Sequence, residues 1–152
     1  MVTIDDVASL GARLGEEIAV SEWLAITQER IDRFADATGD HQWIHVDVAR
    51  ASQDSPFHST IAHGFLTLSL VSVLSGSAMT FGPMRLAINY GVNRVRFVSA
   101  VPAGSRIRGH FSLLAINPLA DASTQVTWSV TIEREGSAKP ACVAEWVVRY
   151  YD

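Results

Sequence analysis

The stretch Gly39-Asp40-His41-Gln42-Trp43-Ile44-His45 sets a carboxylate and two imidazoles close together in the chain. An aspartate ionised at pH 7 can accept a proton from water, and an imidazole can donate or accept one near neutrality. Trp43 and Ile44 reduce the hydration of their neighbours, a condition that shifts pKa values at working sites. Downstream, Ile61-Ala62-His63-Gly64-Phe65 opens the most apolar segment. A glycine at a helix start has an N–H with no helical partner, in a field that favours negative charge, and no side chain to keep a ligand away. Asp40 and His45 as acid and base, with the Gly64 N–H as oxyanion donor, are the parts needed to add water across a double bond conjugated to a thioester carbonyl. The residue types leave other readings open. Asp40 also suits an Asx-turn, and His45 a satisfied structural histidine. His63 suits a stabiliser of the loop ahead of the helix, His41 a solvent-facing position, and His58 and His110 surface or packing roles. Asp40, His41 and His45 resemble a metal-binding pattern only on a helix; Gly39 and the loop composition argue against a helix here, so no metal is expected.

These groups need elements to hold them. Thr3 can cap a first helix with Ile4, Val7, Leu10 and Leu14 on one face, stopped by Gly15. Ile18 to Ile26 reads as a strand. Thr27 caps a helix whose apolar face is Ile31, Phe34 and Ala35, and Gly39 ends it in a left-handed conformation that throws Asp40 into the loop. Asp47 caps a further turn or two through Val48 and Ala51, and Ser52 to Thr60 reads as loop. His63-Gly64 begins a helix of ~16 residues, about 24 Å long. It is apolar on nearly all sides and therefore buried. After Gly82-Pro83 the period changes to two, with a phase slip beside Gly91 that suggests a bulge. Pro102-Ala103-Gly104 and Glu135-Gly136 mark turns. Val126, Trp128, Val130 and Ile132 alternate with polar residues as a clean strand. The last strand, Ala141 to Tyr151, is apolar on both faces and expected to be covered on both. Helices followed by four long strands imply an α+β domain, an antiparallel sheet wrapped around the buried helix.

The 152 residues suit one domain spanning 1–152 with a real core. A hydrophobic share of 48% and a net charge of −4 fit a globular chain without a nucleic-acid footprint. Arg94, Arg96, Arg106 and Arg108 suit a small anionic ligand or a solvated strand face. The single cysteine, Cys142, excludes an internal disulfide and reads as a buried apolar residue. The start of the chain lacks the pattern of a secretory signal, and the apolar run Phe65 to Met79 is too short and interrupted to span a bilayer. No membrane association and a cytoplasmic location are expected.

The loop and His63-Gly64 together resemble the R-specific enoyl-CoA hydratases and MaoC-like dehydratases, which have the hot-dog fold, and in particular single-hot-dog members of actinobacterial type. The resemblance runs from Phe34-Ala35-Asp36-Ala37-Thr38-Gly39-Asp40 through His45-Val46-Asp47 and Ile61-Ala62-His63-Gly64-Phe65. It continues with Asn89-Tyr90-Gly91, Val95-Arg96-Phe97 and Val101-Pro102-Ala103-Gly104-Ser105. Against the family pattern Gly-Asp-x-Asn-Pro-aliphatic-His-x-Asp/Glu, Gln42-Trp43 replaces the Asn-Pro pair. The resemblance implies reversible syn hydration of a trans-2-enoyl-CoA to an (R)-3-hydroxyacyl-CoA with no cofactor. Asp40 and His45 would form the catalytic dyad, the Gly64 N–H would hold the thioester oxygen, Ser72 would support the dyad, and Gln42 would help shape the loop. It also implies a homodimer joined edge to edge. A hot-dog acyl-CoA thioesterase and a non-catalytic acyl-CoA-binding protein are the alternative readings.

Overall fold

The computed structural model describes residues 1–151. The four long strands β5 (Leu86–Phe97), β6 (Arg106–Pro118), β7 (Ser123–Arg134) and β8 (Cys142–Tyr151) form an antiparallel sheet. Two shorter ones, β2 (Glu17–Val20) and β3 (Leu24–Ala25), both pair with β6, so the order is β2-β6-β7-β8-β5 with β3 beside β2. The inner face carries Ile107, Phe111, Leu113, Val126, Trp128, Val130, Ile132 and Val148, all buried. Across it runs a helical rod made of α4 (Gly64–Ser69) and α5 (Val71–Ala78). Gly109 lets the rod come close: a β-carbon there would stand 2.9 Å from the Phe111 ring and 3.3 Å from Leu74 Cβ. Wrapping the sheet around this rod gives the α+β, hot-dog architecture expected from the sequence.

Several local signals act as read. Thr27 accepts the Arg30 N–H at the start of α1 (Gln28–Thr38), and Gly39 ends it at φ 78° with its N–H on the Ala35 carbonyl at 2.8 Å. Asp47 accepts the Arg50 N–H at the start of α3 (Val48–Asp54). The pairing of β5 with β8 slips between Asn89 and Gly91, where the bulge was expected, and again between Asn93 and Arg96.

Six expectations need correction, the first being that Ser52 to Asp54, read as loop, complete α3. Thr3 caps no helix: β1 (Val2–Ile4) pairs in parallel with β4 (Met79–Phe81), and the following turn is a 3-10 helix, Ala8–Arg13. Ile4, Val7 and Leu10 still reach the core, since a spacing of three suits the tighter helix as well. The run Ile18 to Ile26 is split because the Ser21 hydroxyl, instead of a backbone carbonyl, accepts the Gly109 N–H at 2.8 Å. Trp43–Val46 forms one helical turn, α2, where the loop composition argued against a helix. The turn stays short because tertiary donors take the carbonyls that a longer helix would use: Ile61 N–H bonds Ile44 O at 3.1 Å, and Gln28 bonds His45 O at 2.8 Å. The central helix is interrupted at Leu70 and is not buried all round. Phe65 is 70% and Val73 53% exposed, and with Ser69, Ser72 and Gly76 they form one outward stripe. Nor is β8 fully covered: on its outer face Val147 is buried, but Val143, Glu145 and Arg149 are half-exposed.

Trp128 donates to the Tyr150 hydroxyl at 3.1 Å, so this core pair leaves no indole N–H orphaned. Among the described residues no helix is long and apolar enough to cross a membrane.

Candidate active site

Gly39 reverses the chain after α1, and Asp40 emerges with its carboxylate exposed. Its local restraints are long: Asp40 N–H to Thr38 Oγ1 and Gln42 N–H to Asp40 Oδ1 are both 3.4 Å. Three residues on, α2 turns His45 inward to 8% exposure. The His45 Nδ1 lies 2.7 Å from the Ile61 carbonyl oxygen. A carbonyl only accepts, so Nδ1 carries the proton and the Nε2 of the neutral ring keeps its lone pair.

A brace from α1 holds this turn. The Gln28 amide donates to His45 O and to Asp32 Oδ1, each at 2.8 Å, while its oxygen accepts the buried Thr60 hydroxyl. One bond anchors the carboxamide on α1, and the other two tie α2 to Thr60.

His63, 3% exposed, stands beside His45. Its ring stacks on His45 with centroids 3.8 Å apart and planes at 25°, and its Nε2 reaches the Asp40 carbonyl at 2.9 Å. The next residue is Gly64, the first of α4, whose N–H has no carbonyl four residues back within the helix. A cleft of about 260 Å³ is lined by His45 and Gly64 together with Ile61, Thr67, Phe97 and Val101. The Phe97 ring lies directly over Gly64: a β-carbon built there would be 2.7 to 2.9 Å from three ring carbons. This is the close approach that requires a glycine.

Ligand atoms of Asp40, His45 and His63 all lie within 4.8 Å of one another, and among the described residues this is the cluster that could hold a metal ion. Stacked imidazoles, however, send their in-plane lone pairs side by side instead of to one point. The arrangement suits proton transfer better than chelation.

The remaining sequence candidates fall elsewhere. Gln42 is exposed and opens α2, its carbonyl accepting the His45 N–H at 2.9 Å. Ser72 is exposed on α5, 3.2 Å from Asn89 Nδ2, with no hydrogen bond to Asp40 or His45 within this chain. It borders a separate cleft with Leu68, Asn89, Val92 and Trp146. His41 faces solvent and pairs with Asp36 at 2.9 Å; that bond, with help from the Gly39 carbonyl, holds its pKa above the usual imidazole value. His110 joins Glu17 and Glu133 on the outer sheet face, away from the dyad, beside a cavity of about 410 Å³. Arg94 pairs with Glu145 at 3.4 Å on the strand face. The sequence reading passed over Gln28, Thr60 and Phe97, because the contacts that place them at the site join different elements and each sits in an ordinary local pattern.

Comparison with known proteins gives a consistent set of likenesses. The family described as "MaoC like domain" matches residues 9–134. A 3-hydroxyacyl-thioester dehydratase Z from Mycobacterium tuberculosis is 54% identical over 150 residues, 99% of each chain. Nodulation protein N from Rhizobium leguminosarum bv. viciae is 46% identical over 142 residues, 93% of this chain and 88% of that one. Among solved structures, an (R)-hydratase from A. caviae involved in PHA biosynthesis superposes with a TM-score of 0.69 at 23% identity, covering 89% of this chain and 94% of the other.

Proposed function

We propose that this chain, which belongs to the MaoC-like domain family and is a hydro-lyase, catalyses the reversible syn addition of water to a trans-2-enoyl-CoA, giving the (R)-3-hydroxyacyl-CoA. The observation that carries the reading is a cleft lined by His45 and Gly64, with the exposed Asp40 carboxylate grouped within 4.8 Å of the His45 and His63 rings. The full-length likeness to a 3-hydroxyacyl-thioester dehydratase supports it.

The chemistry follows from the geometry. The thioester oxygen accepts the Gly64 N–H, which faces the negative charge as it builds on that oxygen. A water lies between the Asp40 carboxylate and His45 Nε2. One member of the dyad takes a proton from the water as its oxygen bonds to the β-carbon. The enolate then collapses and its α-carbon receives a proton from the dyad. Delivery of both from neighbouring groups of one dyad brings hydroxyl and proton to one face. His45 serves through Nε2, because its Nδ1–H is committed to Ile61.

The proposed assembly is a homodimer. β5 pairs with β8 on one side, and among the described residues no strand covers its other edge. Leu86, Ile88, Tyr90 and Val92 on β5 are exposed, beside the outward stripe of the helical rod. Ser72 lies on that stripe, so it can support a dyad only from a second copy of the chain.

Purified protein incubated with crotonyl-CoA, and with longer trans-2-enoyl-CoAs, should lose the absorbance of the conjugated double bond without releasing free thiol. An unchanged absorbance across the series refutes the hydratase; thiol release instead identifies a thioesterase. Chiral analysis of the product should return the (R) isomer.

A further inference from the structure

We infer that His63 is a neutral positioning residue that aligns the acid–base pair and the oxyanion donor with one another. The inference rests on the hydratase reading and adds a residue to it.

Three connections of one residue carry the argument. The Nε2 of His63 is 2.9 Å from the Asp40 carbonyl. That oxygen only accepts, so Nε2 bears the ring proton. This bond joins residues 23 apart, whereas the hydrogen bonds of the Asp40 amide and carboxylate are local and 3.4 Å long. The tether to His63 is therefore the short link between an exposed catalytic carboxylate's backbone and the core. The face of the same ring lies 3.8 Å from His45, and its other neighbour is Phe34 at 4.9 Å, so it fixes the plane in which His45 presents Nε2. Finally, His63 is joined by a peptide bond to Gly64, so the ring that locates Asp40 and His45 also anchors the donor for the thioester oxygen.

The remaining nitrogen says what state the ring is in. His63 Nδ1 is buried and has no hydrogen-bond partner. A second proton there would have no acceptor and would lie out of water against the His45 ring; the Asp40 carboxylate is in the same cluster but makes no bond to Nδ1. His63 is accordingly held as the Nε2–H tautomer. An orphaned buried acceptor is a poor choice for stability alone. A phenylalanine would fill the same stack against Phe34 and His45 without that penalty. What histidine adds is the bond to Asp40.

The test separates positioning from packing. His63→Phe keeps the aromatic stack and removes the Asp40 tether; His63→Gln keeps a donor near the position of Nε2. With crotonyl-CoA as substrate, His63→Phe should lower kcat at least tenfold, leave KM within about threefold, and leave the melting temperature at or above that of the unsubstituted protein. His63→Gln should recover most of the lost kcat. In protein with 15N-labelled histidine, the His63 Nδ1 resonance should be that of an unprotonated nitrogen. Wild-type kcat in His63→Phe overturns the proposal, as does a joint loss of kcat, KM and melting temperature in both variants. A protonated Nδ1 overturns it as well. If the unsubstituted chain hydrates no enoyl-CoA, the reaction itself is wrong and the proposal falls with it; turnover that is indifferent to His63 removes the positioning role alone.

Discussion

Gly64→Ala is the substitution with the most specific expected outcome. The added methyl would sit 2.7, 2.8 and 2.9 Å from three carbons of the Phe97 ring. Carbon atoms make their best contact at about 3.5–4.0 Å, so the ring has to retreat by roughly 1 Å. Phe97 is half in solvent and can move, which keeps the cost to about 1–3 kcal/mol, in the range of ordinary overpacking. At this chain length each kcal/mol lowers Tm by ~2–4 °C. The larger effect falls on catalysis. The methyl enters the cleft beside the retained N–H and keeps the thioester oxygen off it; the expected loss approaches that of one well-placed oxyanion donor, about 10²–10³ in kcat. Phe97→Leu in the same chain removes the obstructing ring edge and should return most of the lost stability but little of the kcat, since the methyl still occupies the cleft. A thermal shift assay and enoyl-CoA hydration kinetics on the two single variants and the double variant complete the cycle. If Gly64→Ala melts and turns over like the unsubstituted protein, or if the two substitutions are additive in Tm, the close approach of Phe97 to Gly64 does not control this site.

Asp40→Asn and His45→Gln should each reduce kcat by about 10²–10⁴ in the same assay, with Tm little changed for the exposed Asp40; near-normal turnover in both would remove the dyad from the reaction. Gln28→Glu sets a carboxylate against Asp32 Oδ1 and His45 O, both now 2.8 Å from an amide donor, and should cost about 2–4 kcal/mol in urea denaturation. Burial pushes the Cys142 thiol from 9.0 up to about 11. The unfolded thiol ionises first as pH rises, so this group's contribution to stability is complete below pH 9 and declines by at most ~2–3 kcal/mol towards pH 11. Cys142→Val should flatten that decline in denaturation curves taken across the interval. Ile88→Glu with Tyr90→Glu on the uncovered edge of β5 should convert the proposed dimer into a monomer by light scattering.

Features written in a few adjacent residues were legible in the sequence. Thr27, Gly39 and Asp47 mark helix ends through bonds to residues three or four positions away, and the slip at Gly91 follows from local period. The helix drawn from Thr3 failed for the opposite reason: Val2 to Ile4 can bond in parallel with Met79 to Phe81, and apolar spacing alone does not reveal so distant a partner. The strand drawn from Ile18 to Ile26 failed at Ser21, whose hydroxyl takes a backbone role on β6 that the side-chain pattern does not show.

For the site itself, residue types and order determined the candidates. Asp40, His45 and Gly64 are named by their chemistry and by the glycine that must precede a turned-out carboxylate. Those properties belong to single residues and their neighbours. Tertiary structure decided how the candidates are held. It set the tautomer of His45 through the Ile61 carbonyl, braced α2 through Gln28 and Thr60, laid Phe97 over Gly64, and stacked His63 against His45. It also took Ser72 away from the dyad of its own chain. A hydrogen-bond direction or a ring contact depends on which distant atom arrives within 3 or 4 Å, and only the packing of the rod against its sheet brings those atoms together.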